Sequence, residues 1–175
     1  MTTTHVALLR AVNVGGVTVP MARLRALAAG LGWHDVRTHL ASGNLLLEAS
    51  DHAEAVATRL GAALQAEFER PVPVLVRTPA QLELALANAR AAFPAAAPGR
   101  VHVAFLDLNP GPGADDRLGL FAPDEHRHEG HELVLHYPEG QARTRLTTSV
   151  IERRLGVVAT VRGLRTIEGI LAKAT

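Results

Sequence analysis

The chain has 175 residues, 47% hydrophobic but only 3% aromatic, and a formal net charge of +1, which suits one large or two small domains with an aliphatic core. It holds no cysteine, which excludes disulfides and thiolate chemistry and is typical of a reducing compartment. The N-terminus lacks the features of a signal peptide and no apolar stretch approaches the ~20 residues needed to cross a bilayer, so we expect a cytoplasmic protein without membrane contact.

In the first half of the chain the predicted strands and helices follow the order β-α-β-β-α-β. Short apolar runs are typical of buried strands. Gly43-Asn44 indicates a tight hairpin. Asp51 stands three residues before Glu54, the spacing of a capping box at the start of a helix. The predicted strands cover 5–11, 36–40, 45–48 and 72–77, and the helices begin at Pro20 and Asp51.

The second half repeats this order after a connecting helix that begins at Thr78-Pro79. We therefore expect an α+β protein of two tandem ferredoxin-like subdomains, with antiparallel sheets and helices on one face. The predicted subdomains are 1–78 and 100–175, joined by a connecting helix and Pro/Ala linker at 79–99. The second subdomain carries an extra C-terminal helix. Its predicted strands cover 101–106, 125–127, 132–137 and 157–161.

The predicted topology brings two polar loops together. The first two strands of such a unit run parallel, so the loop after the first strand and the hairpin after the second lie at the same end of the sheet. This places Arg10 and Asn13 near Ser42 and Asn44. A Gly-Gly pair at 15–16 invites a phosphate-loop interpretation, but neither the Walker nor the G-x-G-x-x-G pattern is present. We favour a structural role for the glycines, and for Ser42 and Asn44 in the hairpin.

Several segments resemble a family of bacterial proteins catalogued as domain of unknown function 1697. They are LLRAVNVGG, VPMARLRAL, VRTHLASGNLLLE, LHYPEG, LTTSVIERRLGVVAT and VRGLRTI. The resemblance runs along nearly the whole chain and implies two ferredoxin-like subdomains, but no established activity. The family's motif positions fall on Arg10, Asn13, Gly15, Gly16, Met21, Ser42, Gly43, Asn44, Tyr137, Pro138, Gly140, Thr160, Arg162 and Thr166. Family members carry Ser-Lys-Leu at 144–146 and Arg-Asn-Trp-Asn-Thr at 162–166, where this chain differs.

The histidines near position 130 invite a metal interpretation, which we do not favour. The segment His128-Glu129-Gly130-His131 is one residue short of H-E-x-x-H and lies in a predicted hairpin rather than on a helix. A solvated hairpin is the simpler interpretation. We predict no metal and no cofactor.

The last segment of the chain is basic. Residues 143–175 carry seven basic and two acidic side chains, whereas residues 79–142 carry four and nine. Arg145, Arg162 and Arg165 flank predicted helix N-termini, an arrangement that attracts anions. The same arginines could instead pair with the acidic middle segment.

We therefore predict that the protein binds an anionic ligand, which is phosphate, a nucleotide or nucleic acid, without catalysis. The candidate contacts are Arg10, Asn13, Ser42, Asn44, Arg145, Arg162 and Arg165. The alternatives are an enzyme acting on a small phosphorylated substrate in a cleft between the subdomains, and a homo-oligomeric scaffold. The sequence offers no nucleophile or acid–base pair that would decide whether a reaction is catalysed.

Overall fold

The computed structural model describes residues 1–174 and confirms the α+β fold. The chain forms two compact units, one of Met1–Leu82 together with the last residues from Gly169 onward, the other of Glu83–Glu168. Each unit contains a four-stranded antiparallel sheet. None of the helices in this part of the chain is long and apolar enough to cross a membrane.

The first sheet has the strand order β2-β3-β1-β4, that of a ferredoxin-like unit. Its elements are β1 (Thr3–Leu9), α1 (Met21–Gly30), β2 (His34–His39), β3 (Asn44–Ala49), α2 (Ala53–Phe68) and β4 (Val74–Arg77). Alternate strand residues such as Ala7, Leu9 and Leu47 share a buried core with Leu24 of α1 and Leu60 of α2. Both helices therefore cover the same face of the sheet.

The predicted capping box at the start of α2 does not form. The N-cap residue is His52, which makes no side-chain cap bond. The carboxylate of Asp51 instead accepts a hydrogen bond of 3.0 Å from the indole Nε1 of Trp33 and pairs with Arg59. The tertiary partners of Asp51 thus outcompete the local cap.

The second sheet repeats the topology as β6-β7-β5-β8. The elements of this half of the chain are α3 (Pro79–Ala92), β5 (Val101–Leu106), α4 (Ala114–Leu118), β6 (Glu125–Glu129), β7 (Glu132–His136), α5 (Thr148–Leu155), β8 (Ala159–Gly163) and α6 (Leu164–Ala174). The start of α3 and the end of α6 belong to the first unit. Ala104, Leu133 and Leu135 of the sheet share a core with Ile151 of α5. The β6–β7 hairpin is tighter than predicted, because only Gly130 and His131 separate the strands.

The sheet face away from these helices carries an equivalent row of residues in each unit. In the first sheet the row across β2, β3, β1 and β4 is Arg37, Leu46, Val6 and Arg77. In the second sheet the row across β6, β7, β5 and β8 is Arg127, Val134, Val103 and Arg162. The four apolar members of the two rows are at most 1% exposed. Both sheets are therefore buried on two faces, and the structural duplication extends to individual arginines.

Candidate anion-binding site

Asn13 closes the glycine loop that follows β1. Its Nδ2 donates to the carbonyls of Val19 (2.9 Å) and Ala41 (2.7 Å), and its Oδ1 accepts the Val19 N–H at 2.8 Å. The structure thus brings this loop to the β2–β3 hairpin. Because both amide hydrogens are already bonded to backbone, the side chain of Asn13 has no donor left for a ligand.

Gly16, Gly43 and Asn44 have structural roles at this end of the sheet, because the glycines leave no room for a Cβ and Asn44 is buried. A Cβ on Gly16 would lie 2.0 Å from the Ala11 carbonyl oxygen, and one on Gly43 would lie 2.4 Å from a methyl of Val12. Asn44 is fully buried, and its Nδ2 donates to the His39 carbonyl (2.8 Å) and to Ser42 Oγ (3.1 Å). Of the residues predicted here, Arg10 is half-buried, and its backbone N–H donates to the carbonyl of Pro73 at 3.0 Å.

The three predicted C-terminal arginines have unlike surroundings. Arg162 is only 7% exposed, and its Nη1 donates to Thr160 Oγ1 (2.7 Å) and to the Val161 carbonyl (2.9 Å). Burial lowers the pKa of Arg162 from its ordinary value. Arg145 and Arg165 are exposed. Arg162 therefore does not present its guanidinium to solvent beside the other two.

His126 and His128 of the β6 strand are held by hydrogen bonds. His126 Nδ1 contacts Asp115 Oδ1 at 2.7 Å, and its Nε2 contacts the Gly119 carbonyl at the same distance. These residues border an acidic cavity of about 520 Å³ that also includes Asp116 and Asp124. Within residues 1–174, no group of three or more histidine and carboxylate side chains is arranged to hold a metal ion. The carboxylates make this cavity unsuitable for an anion.

A second cavity in the same unit has the opposite character. It measures about 600 Å³, within the range of small-molecule sites. We call it the Phe93 groove. It is lined by residues 92–97 of the linker and by Arg100, Glu125, Arg127, His136 and Pro138. Arg127 and Glu125 lie on β6 and His136 on β7, with side chains on the sheet face away from α5.

The linker enters the groove through a tight turn. The Ala96 N–H donates to the Phe93 carbonyl at 3.1 Å, and Pro94 occupies the second turn position, where its fixed φ is favourable. This turn holds the half-buried ring of Phe93 against the second sheet. The His136 ring centroid lies 5.2 Å from that of Phe93, and the Arg127 guanidinium carbon lies 5.6 Å from it. The ring of Phe93 thereby contacts both the imidazole of His136 and the guanidinium of Arg127.

Arg100 is seated by the turn that follows β7. The Tyr137 N–H donates to the Arg100 carbonyl (2.9 Å), and the phenol of Tyr137 donates to the Leu146 carbonyl in the core. Gly140, at φ +93°, has no Cβ where Arg100 passes: an added Cβ would lie 2.3 Å from Arg100 Nη1. The guanidinium of Arg100 therefore occupies the space that a side chain at position 140 would need.

The groove has an excess of positive charge. Within the described part of the chain, neither guanidinium at Arg100 or Arg127 makes a hydrogen bond or an ion pair. Glu125 Oε1 lies 2.9 Å from His136 Nδ1, so this carboxylate is engaged by the imidazole. Two exposed arginines without a carboxylate partner thus border one cavity, an arrangement suited to a phosphate or carboxylate.

Reasoning from sequence missed this groove. Arg100 and Arg127 belong to residues 79–142, the most acidic part of the chain. The charge count of this region therefore does not indicate an anion site. The segment FPAAAPG was interpreted only as a linker. One sequence feature of the groove is the Tyr137–Gly140 turn beside Arg100, which is also one of the segments that resemble the family.

Known proteins are similar to this chain in sequence family and in fold. A family model described as "Protein of unknown function (DUF1697)" matches residues 1–134. No curated protein matches the sequence. A solved structure, conserved bacterial protein SP0830 from Streptococcus pneumoniae, is similar to the chain with a TM-score of 0.72 at 17% identity, and all of both chains is covered. At this identity the likeness shows the fold alone.

Proposed function

Because the chain belongs to the DUF1697 family of proteins of unknown function, we propose its function from the cavity itself: it binds an anionic small molecule in the Phe93 groove without catalysis. The observation that carries this proposal is the pair of arginines, Arg100 and Arg127, which border one cavity and have no carboxylate partner among the described residues. Guanidinium groups bind phosphate and carboxylate in a bidentate geometry.

The size of the cavity supports a small molecule as the ligand. At about 600 Å³ the groove is far larger than inorganic phosphate needs, and it lies in the range of small-molecule sites. Its linker wall is made of alanines, Phe93 and Pro94, which offer apolar surface to the uncharged part of a ligand.

The test is isothermal titration calorimetry of the whole chain with inorganic phosphate and with ribose 5-phosphate. Arg127→Gln should weaken binding of both probes about fivefold or more, the equivalent of about 1 kcal/mol. Arg37→Gln is the matched control, because Arg37 has the same position in the first sheet but pairs with Asp35 at 2.7 Å. Absence of binding by any anion, or equal losses in both variants, would overturn the proposal.

One contact favours an enzyme acting on a small phosphorylated substrate as the second candidate. Nδ1 of His136, a lining residue of the groove, lies 2.9 Å from Glu125 Oε1, and in the tautomer in which Nδ1 donates to this carboxylate Nε2 is the nitrogen that can accept a proton. A histidine oriented by a carboxylate is a general base in many sites. Turnover of phosphomonoesters by the wild type that is lost in His136→Asn, with binding retained, would favour the enzyme; absence of turnover favours binding alone.

A further inference from the structure

We infer that the ligand of the Phe93 groove combines its anionic group with a planar ring, as a nucleoside monophosphate does. The inference rests on the proposed function and adds the chemistry of the uncharged part of the ligand. Its basis is the cluster of three planar groups in which Phe93 contacts both Arg127 and His136.

The first step concerns the shape of the lining. Phe93 contacts both other groups: its ring centroid lies 5.6 Å from the Arg127 guanidinium carbon and 5.2 Å from the His136 ring centroid, and the His136 ring is tilted by 35° to that of Phe93. Such offset arrangements are those that π systems prefer, and each of the three groups can stack on a further flat ring. An aliphatic chain would fill space there but would not use this geometry.

The second step concerns the position of the planar groups relative to the two arginines. Arg127 is both a planar group of the cluster and one of the two arginines. Arg100, beside Gly140, lines the same cavity. A ligand whose anion meets the guanidiniums therefore has its remainder beside Phe93. Aromatic side chains and arginine together bind bases in this way in single-stranded nucleic acid sites. The cavity volume of about 600 Å³ accommodates one nucleotide-sized molecule.

The test compares three probes in calorimetry with the wild-type chain: adenosine monophosphate, ribose 5-phosphate and adenosine. We expect adenosine monophosphate to bind roughly tenfold more tightly than ribose 5-phosphate, because stacking of one base commonly has that effect. Adenosine, which lacks the anion, should bind more weakly than the monophosphate.

The decisive variant is Phe93→Leu, which keeps an apolar side chain and removes the ring. It should reduce the advantage of adenosine monophosphate over ribose 5-phosphate to within about twofold and leave ribose 5-phosphate binding unchanged. Phe121→Leu is the matched control, since Phe121 also stacks with an arginine, Arg154 at 4.8 Å, but lines the acidic cavity. Phe93→Tyr should retain the advantage, which guards against a Phe93→Leu variant that fails to fold.

The two levels of the proposal fail in different ways. If ribose 5-phosphate binds in an Arg127-dependent manner but adenosine monophosphate binds no better, the proposed anion site stands and the planar-ring inference is wrong. If Phe93→Leu weakens both probes equally, Phe93 only supports the wall and the inference is again wrong. If no probe binds, the proposed function fails as well.

Discussion

Gly140→Ala offers the sharpest test of how the groove is built. The added Cβ would lie 2.3 Å from Arg100 Nη1 and 3.6 Å from its guanidinium carbon. Since non-bonded carbon contacts are optimal near 3.5–4.0 Å, the guanidinium has to move by more than about 1 Å. Arg100 is exposed, so its flexible end can move at little energetic cost. The substitution therefore displaces a binding group without disrupting the core.

The expected magnitudes separate the two consequences of this substitution. Gly140 has φ +93° and ψ 154°, a region that is essentially restricted to glycine, so alanine there costs about 1–3 kcal/mol of folding free energy. Displacing one of two exposed arginines removes about 1 kcal/mol of ligand binding, a fivefold loss of affinity for a phosphate. Gly156→Ala is the control for strain without a displaced side chain: Gly156 has the left-handed α conformation, with φ +69° and ψ 37°, and nothing lies within 4 Å of an added Cβ.

Calorimetry with ribose 5-phosphate and urea denaturation together decide the outcome. Both variants should lose stability, Gly140→Ala more than Gly156→Ala, and only Gly140→Ala should lose affinity. Wild-type affinity in Gly140→Ala would show that Arg100 reaches the ligand by another path or does not contact it. An equal loss of affinity in Gly156→Ala would show that general destabilisation, rather than the position of Arg100, controls binding.

Three further predictions concern the first unit. Asn13→Ala removes three hydrogen bonds and should lower the free energy of unfolding in urea by about 2–3 kcal/mol; a loss below about 0.5 kcal/mol would show that water replaces the amide. The hydrogen bond from Trp33 holds the pKa of Asp51 below its usual 3.8. The ionised carboxylate therefore stabilises the fold fully above pH 3.8, and this stabilisation is lost as the pH falls through the lowered pKa. The fluorescence of this single tryptophan should therefore change only below about pH 4, and an Asp51→Asn variant should show no such transition. Burial, and to a smaller extent the charge of Lys173, lowers the pKa of His39. Lys173→Met should therefore raise the pKa of His39 partway to 6.5 in an NMR titration. An unchanged pKa would exclude the effect of the Lys173 charge.

The order of strands and helices was predictable because local signals sufficed for it. Short apolar runs and Gly43 in its turn act over a few residues, and the structure has both of them in place. The ends of elements were less predictable. The last strand of the first sheet was predicted from Val72 but begins at Val74, because Pro73 has no N–H and its carbonyl accepts from Arg10.

The groove could not be predicted because it depends on register between distant segments. Arg100 and Arg127 are far apart in the sequence, and only the pairing of β5, β7 and β6 brings their parts of the sheet together. Whether an arginine is paired depends on the same register. Arg162 looked available from its helix-flanking position, yet it ends in a buried row bonded to Thr160.

The duplication explains why the proposed site belongs to one unit. Arg37 and Arg127 occupy the same sheet position, but the register of β2 shifts between His34 and Arg37, and Asp35 in that irregular stretch has a φ of +47°. This bend brings the Asp35 carboxylate to 2.7 Å from the Arg37 guanidinium. In the regular strand β6 the carboxylate two residues before the arginine, Glu125, lies 2.9 Å from Nδ1 of His136 instead, and the linker turn places Phe93 beside Arg127. The arginine of the first sheet is thus paired with a carboxylate of its own strand, whereas Arg127 has no carboxylate partner among the described residues.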